Sequence, residues 1–309
     1  MLTGTQVADI YSTLRNDFQK GIEEAKPIAG PLYDTVSSGG ESNVYGWFDH
    51  VPGFRRWWSE TERVKRNLNK RTFRVPNRDY EDTIAINENK INDDQLVQFR
   101  PAVNNLGKAG VLLEDELVFD LLNYGFTGTN ADGDDVKCYD ELAWFSDSHV
   151  VGETTIDNAA TGALTVATYK TAYETLQGYK AQADKDSTAR PLNPQFTPLL
   201  VVPSTLFGTA LGIVNAPLIT AGISNVWYQT AEILSSPYLS SSTAWFLINI
   251  GGASKPVFLQ DREKLSMQEF TPQGSQTSFM SNEVVVGGKR RCSALVTYPW
   301  LAYGSTGAA

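Results

Sequence analysis

The chain has 309 residues, 41% hydrophobic and 20% charged, which excludes an intrinsically disordered protein and leaves room for a sizeable core in one or two domains. The formal net charge is −9, but Phe54 to Arg78 holds nine Arg or Lys against two Glu, a local +7, so the rest carries −16. Such a division suits a protein whose basic part meets an acidic surface, on nucleic acid or on another copy of the same chain. Cys138 and Cys292 are far apart and outside any metal-ligand spacing, and are expected as buried reduced thiols. No apolar run approaches the ~20 residues that span a bilayer. The start, MLTGTQVADIYSTLRNDF, has no apolar h-region, so a cytoplasmic chain without membrane contact is expected.

Taken in order, Thr3-x-x-Gln6 has capping-box spacing, and Val7, Ile10, Tyr11, Leu14, Phe18 and Ile22 recur at helical intervals. This predicts a helix from about Gln6 to Ala25, stopped by Pro27. A Gly/Ser/Pro-rich connection, PIAGPLYDTVSSGGESN, follows. Val44 to Ile86 reads as one long hairpin-like excursion, too polar for a core of its own, and it contains the basic, Trp-bearing stretch FRRWWSETERVKRNLNKRTFR. From Asp93 to Tyr124, Leu96, Phe99, Val103, Leu106, Leu113, Leu117 and Leu121 share one helical face, with Gly125 as stop. That is roughly 45–50 Å of helix at ~1.5 Å per residue, expected to be bent or weakened at Pro101, Gly107 and Gly110. Thr127 to Ala160 is loop-rich and acidic.

Tyr169, Ala172, Tyr173, Leu176, Tyr179 and Ala183 mark a further helix. A buried strand is predicted at Phe196 to Val202, then a helix from Ser204 to Val214. Short strands are predicted at Val226 to Leu234, Thr243 to Ile250 and Pro256 to Gln260. NEVVVGGKRRCSALVTYPWLAY reads as two strands around a Gly-Gly turn. Helices and strands fall in separate runs, which is an α+β composition without internal repeats.

Motifs for chemistry are scarce. There is no G-x-S-x-G elbow, no phosphate-binding loop and no G-x-G-x-x-G, and His50 and His149 are the only histidines. His149 is expected as a hydrogen-bonding loop residue. Asn130, Asp132, Asp134 and Glu141 stand at positions one, three, five and twelve of a calcium loop, but Asp135 replaces the Gly of its sharp turn. The expectation is a solvated acidic loop. No metal, no cofactor and no catalytic residue is expected.

Four blocks, in order, resemble the Mu-like phage major head subunit family, major capsid proteins of tailed bacteriophages. RNDFQKGIEEA looks like that family's N-terminal helix, and ESNVYGWFDHVPGFRRWW is similar to its S-N-x-Y-G-W block. DSTARPLNPQFTPLLVVPSTL resembles its R-P-L and L-V-V-P block, and STAWFLINIGGASKPVFLQDREK its T-A-W and K-P-x-x-x-Q-x-R-x-K block. Asn130 to Ala160 matches only loosely, and FSDSHVVG is loosely similar to a D-x-x-H-P loop. The resemblance implies the tailed-phage major capsid protein fold. Its parts would be an N-terminal arm and helix (1–43), an extended loop (44–90), a peripheral domain with a long spine helix (91–190), an axial domain (191–270) and a C-terminal return to the peripheral domain (271–309). It implies a virion protein, assembled in the bacterial cytoplasm into hexamers and pentamers of an icosahedral shell around double-stranded DNA, with portal and scaffold or protease proteins as partners.

The extended loop is then expected to lie over a neighbouring subunit. Arg55, Arg56, Arg63, Lys65, Arg66, Lys70, Arg71 and Arg74 would meet acidic groups there, with Trp57 and Trp58 as apolar anchors. The rival readings are an encapsulin-like nanocompartment shell and, with less support, a DNA-binding protein that uses the same basic stretch.

Overall fold

A computed structural model describes residues 4–48, 70–92, 96–182, 188–218, 222–252, 254–270 and 283–308. Helix α1 (Gly4–Glu24) is followed by β1 (Tyr33–Ser37), β2 (Ser42–Phe48), β3 (Lys70–Pro76), β4 (Arg78–Asn87), a short α2 (Glu88–Asn92) and the long α3 (Arg100–Asn123). Next come β5 (His149–Val151), β6 (Thr154–Ile156), β7 (Ala159–Ala160), α4 (Val166–Gly178), β8 (Lys180–Ala181) and β9 (Arg190–Pro191). β10 (Pro198–Pro203), α5 (Phe207–Val214), β11 (Glu232–Ser236), β12 (Trp245–Asn249), β13 (Val257–Phe270), β14 (Glu283–Val296) and β15 (Ala302–Ser305) complete the chain.

Two sheets organise these elements. One has four strands in the order β1-β13-β14-β4, the other five in the order β11-β10-β12-β15-β7, while β2 and β3 form a separate hairpin. The runs LLVV and WFLI are continuous because both faces of the five-stranded sheet are covered. Leu199, Val201, Phe246 and Ile248 enter a core with Val118, Phe119 and Leu122 of α3. Their neighbours Leu200, Val202, Trp245 and Leu247 enter a second core with Tyr169, Ala172 and Leu176 of α4. The first half of α3 serves a third core, where Val103 and Leu106 meet Ile10, Leu14 and Phe18 of α1 and Val284 and Val286 of β14. Helix α3 therefore ties the two sheets together.

Several expectations need correction. Helix α3 starts at Arg100, not near Asp93, so its 24 residues give about 36 Å. Pro101 sits in its first turn, where a missing N–H is harmless, and the helix runs unbroken through Gly107 and Gly110. Those glycines serve close packing. A Cβ at Gly107 would lie 2.3 Å from the Phe18 carbonyl oxygen, and one at Gly21 would lie 2.0 Å from that of Asn104. The two helices thus touch backbone to backbone.

Gly287-Gly288 is not a turn, because β14 passes straight through it. A Cβ at Gly288 would lie 3.5 Å from the Phe18 ring, an ordinary packing distance, so α1 packs directly on the sheet there. The excursion is shorter than Val44–Ile86, since β4 pairs with β14 from Asn87↔Glu283 to Arg78↔Cys292. The strand expected to end at Gln260 extends to Phe270, and the one expected from Val226 starts at Glu232. Helix α4 ends at Gly178, so Tyr179 lies beyond it, and Ala183 lies outside the described residues.

Candidate functional site

The hairpin of β2 and β3 is the part of the predicted contact region that is described. It pairs in register from Ser42↔Pro76 to Phe48↔Lys70. Uncharged side chains fix its root to the four-stranded sheet. Gln260, fully buried, donates to the Asn77 Oδ1 (2.6 Å) and the Val75 carbonyl (3.3 Å), and accepts from the Tyr45 hydroxyl (2.8 Å). Asn77 Nδ2 donates to Ser38 Oγ and the Gly40 carbonyl, each at 2.8 Å. Beside this network Val75 and Leu295 are buried, with Tyr45, Phe73 and Phe258 packed against them. The root is rigidly specified, and the chain beyond it contributes to no core among the described residues.

Of the residues predicted to make the contact, Arg55, Arg56, Trp57, Trp58, Arg63, Lys65 and Arg66 lie outside the described residues. Lys70 and Arg71 belong to β3, in register with Phe48 and Trp47. Arg74 is exposed, and its Nε donates to Ser42 Oγ at 2.7 Å within the hairpin.

Two clusters have the residue types of chemical sites. Cys138, Asp140 and His149 place their ligand atoms within 4.8 Å of one another. Yet His149 Nδ1 lies 2.7 Å from Asp140 Oδ2, and its Nε2 lies 3.1 Å from the Trp144 carbonyl oxygen. Both ring nitrogens thus face protein oxygens, so the imidazole is engaged within the fold. Burial drives the Cys138 thiol well above its usual range, so it is no nucleophile at neutral pH. This cluster clasps a loop to the core.

In the acidic loop, Asn130 Oδ1 accepts from the backbone N–H groups of Asp132 (3.1 Å) and Asp134 (2.8 Å). Asp134 is paired with Arg78, and Asp135 with Lys137 at 2.7 Å. Of the calcium-loop positions, Asn130 and Asp134 are thus engaged with the protein.

One surface went unnoticed in the sequence because it is defined by absence. Between Arg190 and Lys255 the only charged residue is Glu232. Along this stretch α5 and the loop after it expose Phe207, Leu218, Ile223, Val226 and Tyr228, with Val226 81% exposed. The missing charge was the signal; a search for motifs does not score it.

A family model described as Mu-like prophage major head subunit gpT matches residues 7–162, 156–239 and 240–308. The chain belongs to the Mu-like gpT major head subunit family. It is 28% identical over 151 residues to the major capsid protein of Escherichia phage Mu, covering 49% of this chain and 46% of that one. The Mu-like prophage FluMu major head subunit of Haemophilus influenzae is 26% identical, with the same coverage. The chain spans about half the length of these curated relatives.

Among solved structures, the procapsid of bacteriophage JBD30 has a similar chain at a TM-score of 0.58 and 20% identity, covering 98% of this chain and 76% of that one. The cyanophage P-SCSP1u capsid gives 0.58 at 10% identity, covering 91% and 88%. The virus-like particle from Pyrococcus furiosus gives 0.53 at 11%, covering 96% and 98%. The fold is that of tailed-phage capsid subunits, α+β with a long helix between two sheets. At these identities the likeness establishes fold alone.

Proposed function

We propose that this chain is the shell-forming subunit of a tailed-phage head, with no catalytic role. The observation that carries the reading is the family match along residues 7–308. Copies would close as hexamers and pentamers into an icosahedral shell around double-stranded DNA, assembled in the bacterial cytoplasm with portal and scaffold or protease proteins. Two features support self-assembly. Among the described residues of the β2–β3 hairpin, only Tyr45, Phe73 and Val75 enter a core. The charge-free, apolar surface between Arg190 and Lys255 suits contact around a rotation axis, where any charge is repeated by every copy and repels its images.

In this reading 1–43 is the N-terminal arm and helix, 44–90 holds the extended loop, and 91–190 is the peripheral domain with α3 as spine helix. The axial domain begins near 191. The pairing of β13 with β1 and β14 favours its end near Lys255 rather than at 270, and β15 favours a share of the C-terminal segment 271–309 in the five-stranded sheet. Arg55, Arg56, Trp57 and Trp58 would contact a neighbouring subunit. The fold of the Pyrococcus furiosus particle chain is shared as well, so the family match, not the fold, sets a phage head above a nanocompartment. Electron microscopy of the expressed chain, alone and with a scaffold, tests the proposal. Closed or tubular particles of many copies are expected; a stable monomer under both conditions overturns it.

A further inference from the structure

Among the described residues, one place brings three side chains of metal-ligating type together. The Cys138 sulfur, an Asp140 carboxylate oxygen and a His149 ring nitrogen lie within 4.8 Å of one another. The local chain is shaped for this convergence. Lys137 and Ala143 bridge as an antiparallel pair, and Cys138 and Asp140, two apart on the extended arm, turn to one side. Tyr139, between them, enters a different core from Cys138. Glu141 completes the turn at φ 66°, a left-handed conformation that a non-glycine residue rarely takes. His149, the first residue of β5, comes in from the other end of the loop.

The backbone holds the outer atoms of two of these groups. Asp140 Oδ1 accepts from the Leu142 N–H at 3.3 Å, and His149 Nε2 lies 3.1 Å from the Trp144 carbonyl oxygen. Contacts of this kind orient the ligands of a metal ion. The inner atoms, Asp140 Oδ2 and His149 Nδ1, then face each other at 2.7 Å. A neutral imidazole has one N–H and one lone pair, yet both nitrogens here face oxygens. One of the two contacts therefore lacks a hydrogen, and the pair calls for one more positive charge. A proton would satisfy Asp140 and His149 but gives the neighbouring thiol no part. A divalent ion engages all three groups. With one thiolate, one carboxylate and one neutral imidazole the charges sum to zero, which suits a place closed to solvent. Cys138 and His149 are fully buried, and the Asp140 side chain is 4% exposed.

We propose that Cys138, Asp140 and His149 form a zinc site that fastens the loop between α3 and β5 to the core. A sulfur, a nitrogen and a single oxygen favour zinc over calcium or magnesium, which take oxygen ligands. On binding, the Cys138 thiol releases its proton to solvent and the thiolate ligates the ion, so no oxidant or reductant takes part. Zinc deprotonates a coordinating thiol outright, which overcomes the effect of burial on Cys138. Three protein donors leave the fourth position of a tetrahedral ion to water. The role is structural, because the ion links Cys138 and Asp140 to β5 across a stretch with few backbone ladders. The site stands independently of the shell reading above.

Metal titration of the full chain tests the proposal. After chelator treatment and dialysis, zinc chloride alone should load one zinc per chain that survives gel filtration and raises the melting temperature. Calcium or magnesium chloride at the same concentration should do neither. Cobalt(II) in place of zinc reads the ligand set directly, and a sulfur-to-cobalt charge-transfer band in the near ultraviolet is expected. Cys138→Ala leaves the Asp140–His149 contact in place and should weaken zinc binding by about a hundredfold or more, with loss of the band. Cys292→Ala should keep both. If Cys138→Ala does not fold, the cobalt spectrum of Cys292→Ala decides, because its one remaining thiol is Cys138. No retained zinc on the unaltered chain overturns the site. So does zinc binding that survives Cys138→Ala, or bound cobalt without the sulfur band.

Discussion

The two sheets solve the same problem, holding polar groups inside a protein, with different chemistry. Around the four-stranded sheet, apart from the Gln260–Asn77 network at the hairpin root, the groups are charged and paired. Arg290 of β14 lies between Glu114 and Asp261, and Lys289 and Arg291 lie between Asp79 and Glu263. Arg100 grips Asp17 of α1 with two nitrogens, and Asp115, fully buried in α3, accepts from the N–H groups of Ile28 and Ala29.

Around the five-stranded sheet the same task falls to buried asparagines. Asn249 donates to Asn193 and the Gln195 carbonyl while accepting from Thr197 and Gly251. Asn193 donates to the Leu176 and Trp300 carbonyls, and Asn225 to those of Ile213 and Ala216. An amide satisfies a loop's backbone without a counter-ion and without a field that reaches a neighbouring copy. The half that carries charge can meet a partner through it, while the neutral half can approach other copies closely.

The largest expected effect sets glycines of the two halves against each other. Gly107→Ala or Gly21→Ala pushes a methyl group into a helix backbone that cannot move alone. Each should destabilise the subunit by about 3 kcal/mol or more. Gly212→Ala, in α5, meets nothing within 4 Å and should be neutral or stabilising by ~0.5–1 kcal/mol. Denaturant titration of the three variants decides it, and equal costs would show that the α1–α3 contact yields.

Next in size is an exchange of amide for carboxylate. Asn249→Asp turns the donors facing Asn193 and Gln195 into an unpaired buried charge and should cost about 3 kcal/mol at neutral pH. The loss should grow as pH rises from about 4 and fade in acid, where the new carboxyl is neutral in both states. Asp79→Asn, on an exposed residue with ion pairs longer than 3.4 Å, should cost less than ~1 kcal/mol. Thermal melts across pH measure both. A pH-independent Asn249→Asp would mean that water reaches the site.

How much of this was legible beforehand depends on where the deciding contact lies. The stripes Ile10, Leu14, Phe18 and Tyr169, Ala172, Leu176 were readable because helix burial repeats locally, and each of these residues is buried. Gly287-Gly288 misled because a turn is its ordinary local meaning, whereas the pair lies inside a strand whose neighbour β4 is far away in sequence. Strand β13 looked short because Asp261 to Phe270 is mostly polar; among the described residues only Leu265 and Met267 of this stretch reach the core beside α1. The basic side of the proposed contact stood out as a run of charge.

Alkaline pH should act more gently, on buried thiols and phenols in both halves. Burial raises the Cys292 thiol, in the four-stranded sheet, to about 11, and the Tyr169 hydroxyl, beneath the five-stranded sheet, to about 12. Both groups are neutral when protonated, so the stability they contribute is complete below their unfolded pKa values and is lost as pH rises through the folded ones. The window opens near ~8.5 for the thiol and near ~10 for the phenol. Cys292→Ser should therefore reduce but not abolish the fall between about pH 9 and 10, because the buried Cys138 thiol is raised as well, and should leave the steeper fall above ~10 in place. A variant that removed the fall above ~10 would contradict the assignment to tyrosine.

The smallest effect is salt, and it bears on the comparison most directly. Exposed pairs such as Arg15–Glu269 and Lys289–Asp79 contribute roughly 0.5 kcal/mol each when screening is weak. Raising ionic strength from ~0.1 M to ~1 M shortens the screening length from ~10 Å to ~3 Å and removes most of that. Local opening of α1, β13 and β14 should become easier, and their backbone amides should exchange about two- to fivefold faster. Strands β10 and β12 are buried and carry no charged residue, so their amides should not respond. The experiment needs the unassembled subunit, because contacts between copies would protect both regions. An equal acceleration in both sheets would mean that salt acts on the whole fold. Acceleration confined to the four-stranded sheet would tie its charges to local stability and the neutrality of the other sheet to contacts the isolated subunit has not yet made.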